Sequence, residues 1–203
     1  AEANTVNLSN ISSELTKVTI TEATGGTTTI NAPGSLTVEI KGSAILDDDD
    51  LVVDSGSGTA DTLLIKNTNL ATGTNQIGAN DTDITTTDFE TVTIDVGGYS
   101  TATAQLVKTI NVGTANALVL TGANGLTTTA STGIITAKTI DASAMTGAFT
   151  MNVAAASGVT TITGGSGSDT LKGDAASTIT GGAGNDDITG GTGNDTLSGG
   201  AGN

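Results

Sequence analysis

The chain lacks the residues on which much catalytic and metal chemistry depends. Among its 203 residues there is no cysteine and no histidine. Zinc sites built on thiolate or imidazole, and catalytic groups of the Ser-His-Asp or Cys-His type, are therefore excluded. Oxygen atoms are the only ligands left for a metal ion, and oxygen-only ligation suits calcium. We accordingly expect no enzymatic activity from this chain and Ca²⁺ as its cofactor.

Basic residues and aromatic rings are also scarce. Six basic residues stand against 21 acidic ones, so the formal net charge is −15. This charge excludes a nucleic-acid binder that works through a basic face, and it argues against docking on anionic lipid. The only aromatic side chains are Phe89, Phe149 and Tyr99. They are too few to provide the sugar platforms of a glycosidase, and the core must be built from aliphatic side chains and threonine methyls.

Long hydrophobic runs are missing as well. No apolar run approaches the ~20 residues of a membrane-spanning helix, so we expect no membrane insertion. Residues 1–4 (AEAN) do not have the charged and apolar regions of a signal peptide. Because residues 199–203 stop within a repeat, we expect the chain to be a segment of a longer protein.

Threonine and glycine dominate what is present. Threonine makes up roughly a fifth of the chain, far above ordinary usage, and there are 29 glycines. Short alternating runs such as Val18-Thr19-Ile20 and Val92-Thr93-Ile94 place every second residue inward, as in half-buried strands. The sequence therefore predicts an all-β chain. For residues 1–163 it leaves two architectures open, an irregular β-solenoid with rungs of unequal length and a β-sandwich.

The C-terminal end carries a strict nonapeptide repeat of the form G-G-x-G-x-D-x-U-x, where U is a large apolar residue. Complete copies occupy residues 164–172, 181–189 and 190–198, and residues 199–203 begin another. The intervening stretch, residues 173–180, is one residue short, with Thr178 near the aspartate position. We therefore divide the chain at Thr163 into a Thr-rich, solenoid-like region (1–163) and a calcium-binding β-roll (164–203).

The chemistry of the repeat suits a shared calcium ion. Glycine allows the turn to adopt positive φ and lets the backbone approach a cation, and one turn offers about half of the six to eight oxygen ligands that calcium takes. Two stacked turns must then share an ion. Successive copies fall on opposite edges of the roll, so each turn pairs with the copy after next. Inside the roll, Leu171 should stack on Ile188 and Ile179 on Leu197, apolar positions that a flexible Gly-rich tail would not keep.

These repeats resemble the RTX (repeats-in-toxin) proteins that bacteria export by type I secretion. The resemblance implies a parallel β-roll in which carbonyl groups of stacked turns and the aspartates bind calcium. Carried over, it implies Gly164 and Ser166 with Gly182 and Gly184 as carbonyl ligands. The carboxylate ligands that it implies are Asp169, Asp186 and Asp195. The 173–180 copy departs from the pattern, which weakens the site beside Asp195.

Two upstream segments are similar to RTX-bearing bacterial S-layer proteins, namely residues 138–147 (KTIDASAMTG) and 88–94 (DFETVTI). That resemblance implies an extracellular structural protein, a lattice tile whose folding and assembly require calcium. Its partners would be copies of itself in a surface lattice, with cell-surface polysaccharide as a further partner. Its location would be the bacterial cell surface.

Other acidic residues are candidates for calcium as well. Residues 54–63 look like a loosened nonapeptide with one inserted residue, which makes Asp61 a candidate ligand. The four carboxylates at 47–50 fit a solvated loop or a cation site. Asp81, Asp83 and Asp88 are spaced like a calcium loop but lack its Gly and terminal Glu, which favours a solvated loop.

Three other functions compete with the lattice tile. One is an adhesin with an RTX stalk, and another is the calcium-binding roll of a secreted enzyme whose catalytic domain lies elsewhere. The third is an ice-binding solenoid, suggested by threonine pairs such as Thr91 and Thr93. That function needs T-x-T pairs at constant spacing on one flat face, and their spacing along the sequence is not constant. Surface threonines that favour strands are the better interpretation.

Overall fold

The chain is all-β wherever its structure is described. The computed structural model describes residues 4–7, 15–20, 27–32, 34–40, 50–56, 59–67, 83–97, 105–113, 116–128, 135–151 and 158–202. The regular secondary structure of these residues consists of β-strands, which confirms the predicted class. The same residues contain no helix long and apolar enough to cross a membrane.

Twenty strands are described. They are β1 (Asn4–Asn7), β2 (Lys17–Ile20), β3 (Thr28–Asn31), β4 (Leu36–Ile40), β5 (Leu51–Asp54), β6 (Thr62–Asn67), β7 (Asp83–Thr87), β8 (Thr91–Asp95), β9 (Gln105–Val107), β10 (Thr109–Asn111), β11 (Ala117–Gly122), β12 (Leu126–Thr128), β13 (Ile135–Thr136), β14 (Thr139–Met145), β15 (Phe149–Met151), β16 (Thr161–Thr163), β17 (Thr170–Lys172), β18 (Thr178–Ala183), β19 (Asp187–Thr189) and β20 (Thr196–Ala201).

The strands form three parallel sheets stacked as a solenoid. Sheet A has the order β1-β3-β5-β7-β10-β13, and sheet B has the order β2-β4-β6-β8-β11-β14-β16-β18-β20. Sheet C has the order β19-β17-β15-β12-β9. Each strand pairs with the strand one rung earlier and the strand one rung later, and every described pair is parallel. Of the two architectures left open for residues 1–163, the described strands therefore form the solenoid, and the sandwich, which needs antiparallel strands, is excluded for them.

Alternation along each strand builds the core. In β8, Val92 and Ile94 are fully buried while Thr91, Thr93 and Asp95 are partly exposed. Because the pairing is in register, the inward side chains stack into ladders. Contacts between aliphatic side chains in these ladders form the core, which contains few aromatic rings. One ladder follows sheet B from β4 to β20, through Leu36, Leu63, Val92, Leu118, Ile140, Ile162, Ile179 and Leu197.

Corners of the upstream rungs are closed by a short Asx motif. The side-chain oxygens of Asp54, Asp95 and Asn111 each accept the backbone N–H of the residue two positions on, at 2.9, 2.8 and 3.1 Å. That residue is a glycine with positive φ in each case, at 80°, 71° and 86°. These positions follow directly from turn chemistry, since Asp and Asn favour such turns and glycine adopts positive φ without strain.

From β6 onward the rungs shorten toward the C-terminus while sheet B continues without a break. Equivalent residues lie 29 positions apart at Asp61 and Glu90, and 22 apart at Lys138 and Thr160. They lie 18 apart at Ser177 and Asp195, the length of two nonapeptides. Sheet A ends at β13 and sheet C begins at β9, so the rungs pass from sheets A and B to sheets B and C. The hydrogen-bonded ladder of sheet B thus crosses Thr163, joining the Thr-rich region to the repeats.

Candidate metal centre

The repeat turns stack on two edges of the C-terminal rungs. On the first edge, the Ala183 N–H donates to Gly165 O at 2.9 Å, and the Asp187 N–H donates to Asp169 O at 2.8 Å. On the second edge, the Thr196 N–H donates to Ser177 O at 2.9 Å. Turn 181–186 therefore lies beneath turn 164–169, and turn 190–195 beneath turn 173–177. The predicted pairing of alternate copies is confirmed.

The apolar positions of the repeats face one another inside the roll. Leu171 is in register with Ile188, and Ile179 with Leu197, as the nonapeptide pattern predicts. Leu171 and Ile179 are fully buried, whereas Leu197, in the last described rung, is 49% exposed. Strand lengths alternate between the two faces. β17 and β19 have three residues, as expected for the repeat, but β18 and β20 have six, because pairing continues into the glycine turn.

Each repeat aspartate binds the backbone of the rung before it. Oδ1 of Asp169 accepts the Phe149 N–H at 2.7 Å, and Oδ1 of Asp186 accepts the Asp169 N–H at 2.9 Å. On the second edge, Oδ1 of Asp195 accepts the Ser177 N–H at 2.9 Å. One oxygen of each carboxylate thus fixes the side chain against the preceding turn. The second oxygen is oriented by that bond.

The second oxygens of Asp169 and Asp186 have different surroundings. Oδ2 of Asp169 accepts the Gly165 N–H at 2.8 Å. Oδ2 of Asp186 is buried and has no hydrogen-bond partner. A buried carboxylate oxygen without a donor is costly, and a cation is the partner that satisfies it. The donor set at Asp186 therefore fits calcium.

The close approach of backbone oxygens between the stacked turns depends on glycine at the turn positions. A Cβ added at Gly181 would meet Asp186 Oδ2 and, at 2.5 Å, the carbonyl oxygen of Gly199 in the next turn. Gly182 and Gly184 both have φ of 114°, and a Cβ on either would collide with the carbonyl oxygen of Gly165 or Gly167. Only glycine permits this approach of carbonyl oxygens between stacked turns. Carboxylate and carbonyl oxygens are the ligands that calcium prefers.

The predicted carbonyl ligands are placed unequally. Gly164 O lies 3.1 Å from the position of a Cβ on Gly182, so these two residues meet between the stacked turns. Ser166 is exposed, and its N–H donates to Met145 O of the preceding rung at 3.0 Å. The carbonyl groups that approach Gly182 and Gly184 most closely belong to Gly165 and Gly167, which we did not predict from the sequence. Gly165 and Gly167 are the second and fourth residues of their repeat, so the strict form of the nonapeptide, with glycine at both positions, was the feature that could have predicted this approach.

The shortened copy closes its turn with a serine. Register places Ser177 opposite Asp195, because Thr178 pairs with Thr196. The aspartate position is therefore occupied by Ser177, the residue before Thr178, and the missing residue precedes Ser177. Ser177 Oγ donates to Ala175 O at 2.8 Å, and Ser177 is buried. The main-chain oxygen of Asp174 accepts both the N–H and the hydroxyl of Thr192, each at 2.8 Å. This turn has a hydroxyl where the first edge has a carboxylate.

Burial raises the pKa of Asp169 above its ordinary value of 3.8. Hydrogen bonds from Phe149 and Gly165 oppose this rise, and the nearby charge of Asp186 adds to it. The metal-free fold is consequently stabilised by protonation of Asp169, and that stabilisation is lost as the pH rises through the raised pKa. Calcium requires the ionised form, so protons compete with it.

We therefore predict that the calcium midpoint for folding rises as the pH falls from 7 toward 3.8. Titrations followed by circular dichroism at several pH values provide the measurement. The Asp169→Asn variant is the control, because it keeps an oxygen acceptor for Phe149 and cannot ionise. Its midpoint should depend less on pH across the same range. A wild-type midpoint that stays constant down to pH 3.8 would contradict the assignment.

Upstream acidic residues are arranged differently. The Asp61 N–H donates to Glu90 Oε2 at 2.6 Å, so the bond between a carboxylate and the preceding turn also occurs several rungs upstream of the repeats. Asp83 is paired with Lys108 at 3.0 Å and accepts the Thr109 hydroxyl at 2.6 Å. Asp88 is exposed with φ of 61°. A calcium role for Asp61 stays a prediction, and Asp47, Asp48, Asp49 and Asp81 lie outside the described residues.

Carboxylates are never grouped in threes in the part of the chain that the structure describes. An ion in the repeats must therefore take most of its ligands from backbone carbonyls, as the turn chemistry predicts.

Residues 155–177 and 174–203 match the family model of the RTX calcium-binding nonapeptide repeat, which comprises four copies. No curated protein and no solved structure matches the chain significantly. The C-terminal region of this chain thus consists of RTX repeats, which bind calcium and are generally found in secreted proteins.

Proposed function

We propose that the chain is a structural segment of a calcium-dependent bacterial surface assembly, an S-layer in which its partners are copies of itself. The observation that carries this proposal is the uninterrupted sheet B, in which seven strands of the upstream solenoid are followed by strands β18 and β20 of the calcium-binding repeats. In such a stack each rung contacts only its neighbours, so stability at one end supports the next rung. A rod held together by extracellular calcium suits a load-bearing tile.

The calcium dependence fits a location outside the cell. Extracellular calcium modules work at about 10⁻⁴–10⁻³ M, far above the free concentrations that cytosolic sensors detect. The repeats would accordingly remain unfolded during export and fold once outside. The formal charge of −15 makes the same cation necessary for close packing of neighbouring copies, because unscreened carboxylates repel one another.

Electron microscopy after calcium addition tests the proposal. We expect ordered two-dimensional sheets when the purified chain is brought to millimolar calcium, and dispersed particles in the presence of a chelator. Magnesium at the same concentration is the matched control, because it demands octahedral geometry that stacked carbonyl turns do not offer. Folded monomers at every calcium concentration would contradict a tile and favour an adhesin.

An adhesin is the second candidate because of one surface feature. An open cleft of about 450 Å³ lies along β4, β6 and β8 and is lined by Thr16, Ser35, Thr37, Thr62 and Thr93 together with Leu36, Leu63 and Leu64, so its surface is more apolar than polar. Hydroxyl groups can bind a cell-surface polysaccharide. The cleft contains no aromatic ring and no charged side chain among these lining residues, so we favour the tile.

We also propose that this segment has no catalytic activity of its own. Its repeat aspartates are bound to backbone N–H groups, and histidine and cysteine are absent from the sequence. Turnover of a polysaccharide or peptide by the purified chain, abolished by replacing one carboxylate, would contradict this and favour a secreted enzyme.

A further inference from the structure

The outer side of sheet B carries an array of threonines. The first and third residues of β8, β11, β14, β16, β18 and β20 point outward, and we call this set the threonine face. Eight of the twelve are threonine, and the others are Ala117, Val119, Asp141 and Ser198. Their side chains are exposed or half-buried, whereas the residues between them are inward and, except Leu197, buried.

Strand register aligns these residues into two straight columns. Thr139 pairs with Thr161, Thr161 with Thr178, and Thr178 with Thr196, while Thr163 pairs with Thr180. Neighbours are therefore about 4.8 Å apart across strands and about 7 Å apart along each strand. The extra residues of the longer rungs lie in the turns and in sheets A and C. Irregular spacing of the threonines along the sequence therefore does not prevent their regular alignment on sheet B. Register thus aligns the T-x-T pairs of β16 and β18, Thr161 with Thr178 and Thr163 with Thr180, although such pairs are irregularly spaced along the sequence.

Charge distribution indicates which partner this face accepts. The chain has a formal charge of −15, yet the threonine face carries one ionisable group, Asp141, which is held by the Ser143 N–H at 3.0 Å. Repeat aspartates project instead at the two edges of the roll. Two threonine faces that approach each other bring together one carboxylate from each copy, so like-charge repulsion opposes this contact only weakly. The nearly neutral face therefore allows two copies of this acidic chain to meet.

The chemistry of the face favours protein over ice. Ala117 and Val119 interrupt the hydroxyl columns, and they offer methyl groups that pack against another side chain but donate no hydrogen bond to a water lattice. A second copy presents the same strand repeat, so its methyl and hydroxyl groups meet those of the first copy at every rung. Such matching of identical ladders is the basis of tightly interdigitated sheet interfaces.

We infer that the threonine face is a self-association surface, through which a second copy of this chain packs sheet against sheet. Six strands give a patch about 29 Å long and about 14 Å wide. Its area of roughly 400 Å² is about half of what each partner buries in a stable complex. The contact is weak for an isolated pair and effective when repeated across an array. The inference rests on the proposed lattice function and names the surface that it uses.

Single-cysteine variants test the inference, because the chain has no cysteine of its own. Thr163→Cys and Thr180→Cys place a thiol on the face. Thr127→Cys and Thr150→Cys are matched controls, since both residues point outward and are half-buried on sheet C. Under oxidising conditions with millimolar calcium, we expect the face variants to form disulfide-linked dimers about tenfold faster than the controls. Equal rates would overturn the inference.

Paired lysine variants separate the inference from the proposed function. Thr163→Lys with Thr180→Lys adds two positive charges to the face, and Thr127→Lys with Thr150→Lys adds the same charge to sheet C. If sheets seen by microscopy survive the first pair as well as the second, the lattice stands and the inference fails. If wild type forms no sheets but the face cysteines still cross-link selectively, the lattice fails and the surface stands. Inhibition of ice growth without selective cross-linking would reassign the face to ice.

Discussion

Addition of a chelator should make the backbone amides of the C-terminal rungs exchange their hydrogens rapidly instead of slowly. Five aspartates lie at 169, 174, 186, 187 and 195, in a stretch rich in glycine. Their carboxylates repel one another until a cation neutralises them, and calcium binding free energy becomes folding free energy. We expect protection factors across residues 164–202 to fall by on the order of a hundredfold or more without calcium. Hydrogen exchange read out by mass spectrometry provides the measurement.

Loss of protection should spread beyond the repeats for a limited distance. Asp169 holds the Phe149 N–H, and the Thr178 N–H donates to Thr160 O at 2.9 Å. Opening the roll therefore removes partners from β14, β15 and β16. Strands β4 and β6, several rungs away, serve as the internal control and should keep their protection. If exchange across 164–202 were equally slow with and without a chelator, calcium would not be what holds these rungs.

Asp186→Ala should raise the calcium midpoint for folding more than Asp195→Ala does. Asp186 lies in the turn between the Asp169 turn and Gly199, and its buried Oδ2 has no donor. Asp195 faces Ser177, whose hydroxyl already closes its own turn at Ala175 O. Removing a ligand from the more complete site also leaves its convergent oxygens without a cation. We expect a shift of roughly tenfold for Asp186 and about two- to threefold for Asp195, which corresponds to a difference below about 1.4 kcal/mol.

Two calcium titrations under identical conditions, followed by circular dichroism, provide the comparison. Asp186→Asn is a useful third variant, because its side-chain oxygen can still accept the Asp169 N–H but carries no charge. A midpoint for Asp186→Asn close to that of Asp186→Ala would assign the effect to calcium ligation. An equal or larger shift for Asp195→Ala would mean that Asp174 completes a second site in place of Ser177.

The repeat region could be predicted from its sequence in considerable detail because its spacing is strict. A nine-residue period fixes which turns stack and places Leu171 on Ile188. The same regularity failed where the period broke. One residue is missing between Gly173 and Thr180, and strand register places Ser177, not the neighbouring Thr178, at the aspartate position.

The upstream region was less predictable because its rungs vary in length. Short alternating strands are compatible with parallel and antiparallel sheets. The periodicity therefore predicts that residues such as Val92 and Ile94 are buried, but it does not predict which residues of other strands pack beside them. Long-range register then aligns Val92 with Leu63 and Leu118, and continues the same ladder into the repeats. The threonine face could not be predicted for the same reason, since residues such as Thr163 and Thr180 become neighbours in one column only through strand register.

A structure determined in millimolar calcium tests the central claim most directly, that stacked turns hold calcium through Asp186. Anomalous scattering would locate the ions without ambiguity. We expect an ion at about 2.3–2.6 Å from Asp186 Oδ2, between the Gly181 turn and the turn that begins at Gly199. Ordered turns with no ion there, and with Asp186 Oδ2 bonded to an N–H group or a water molecule, would contradict it.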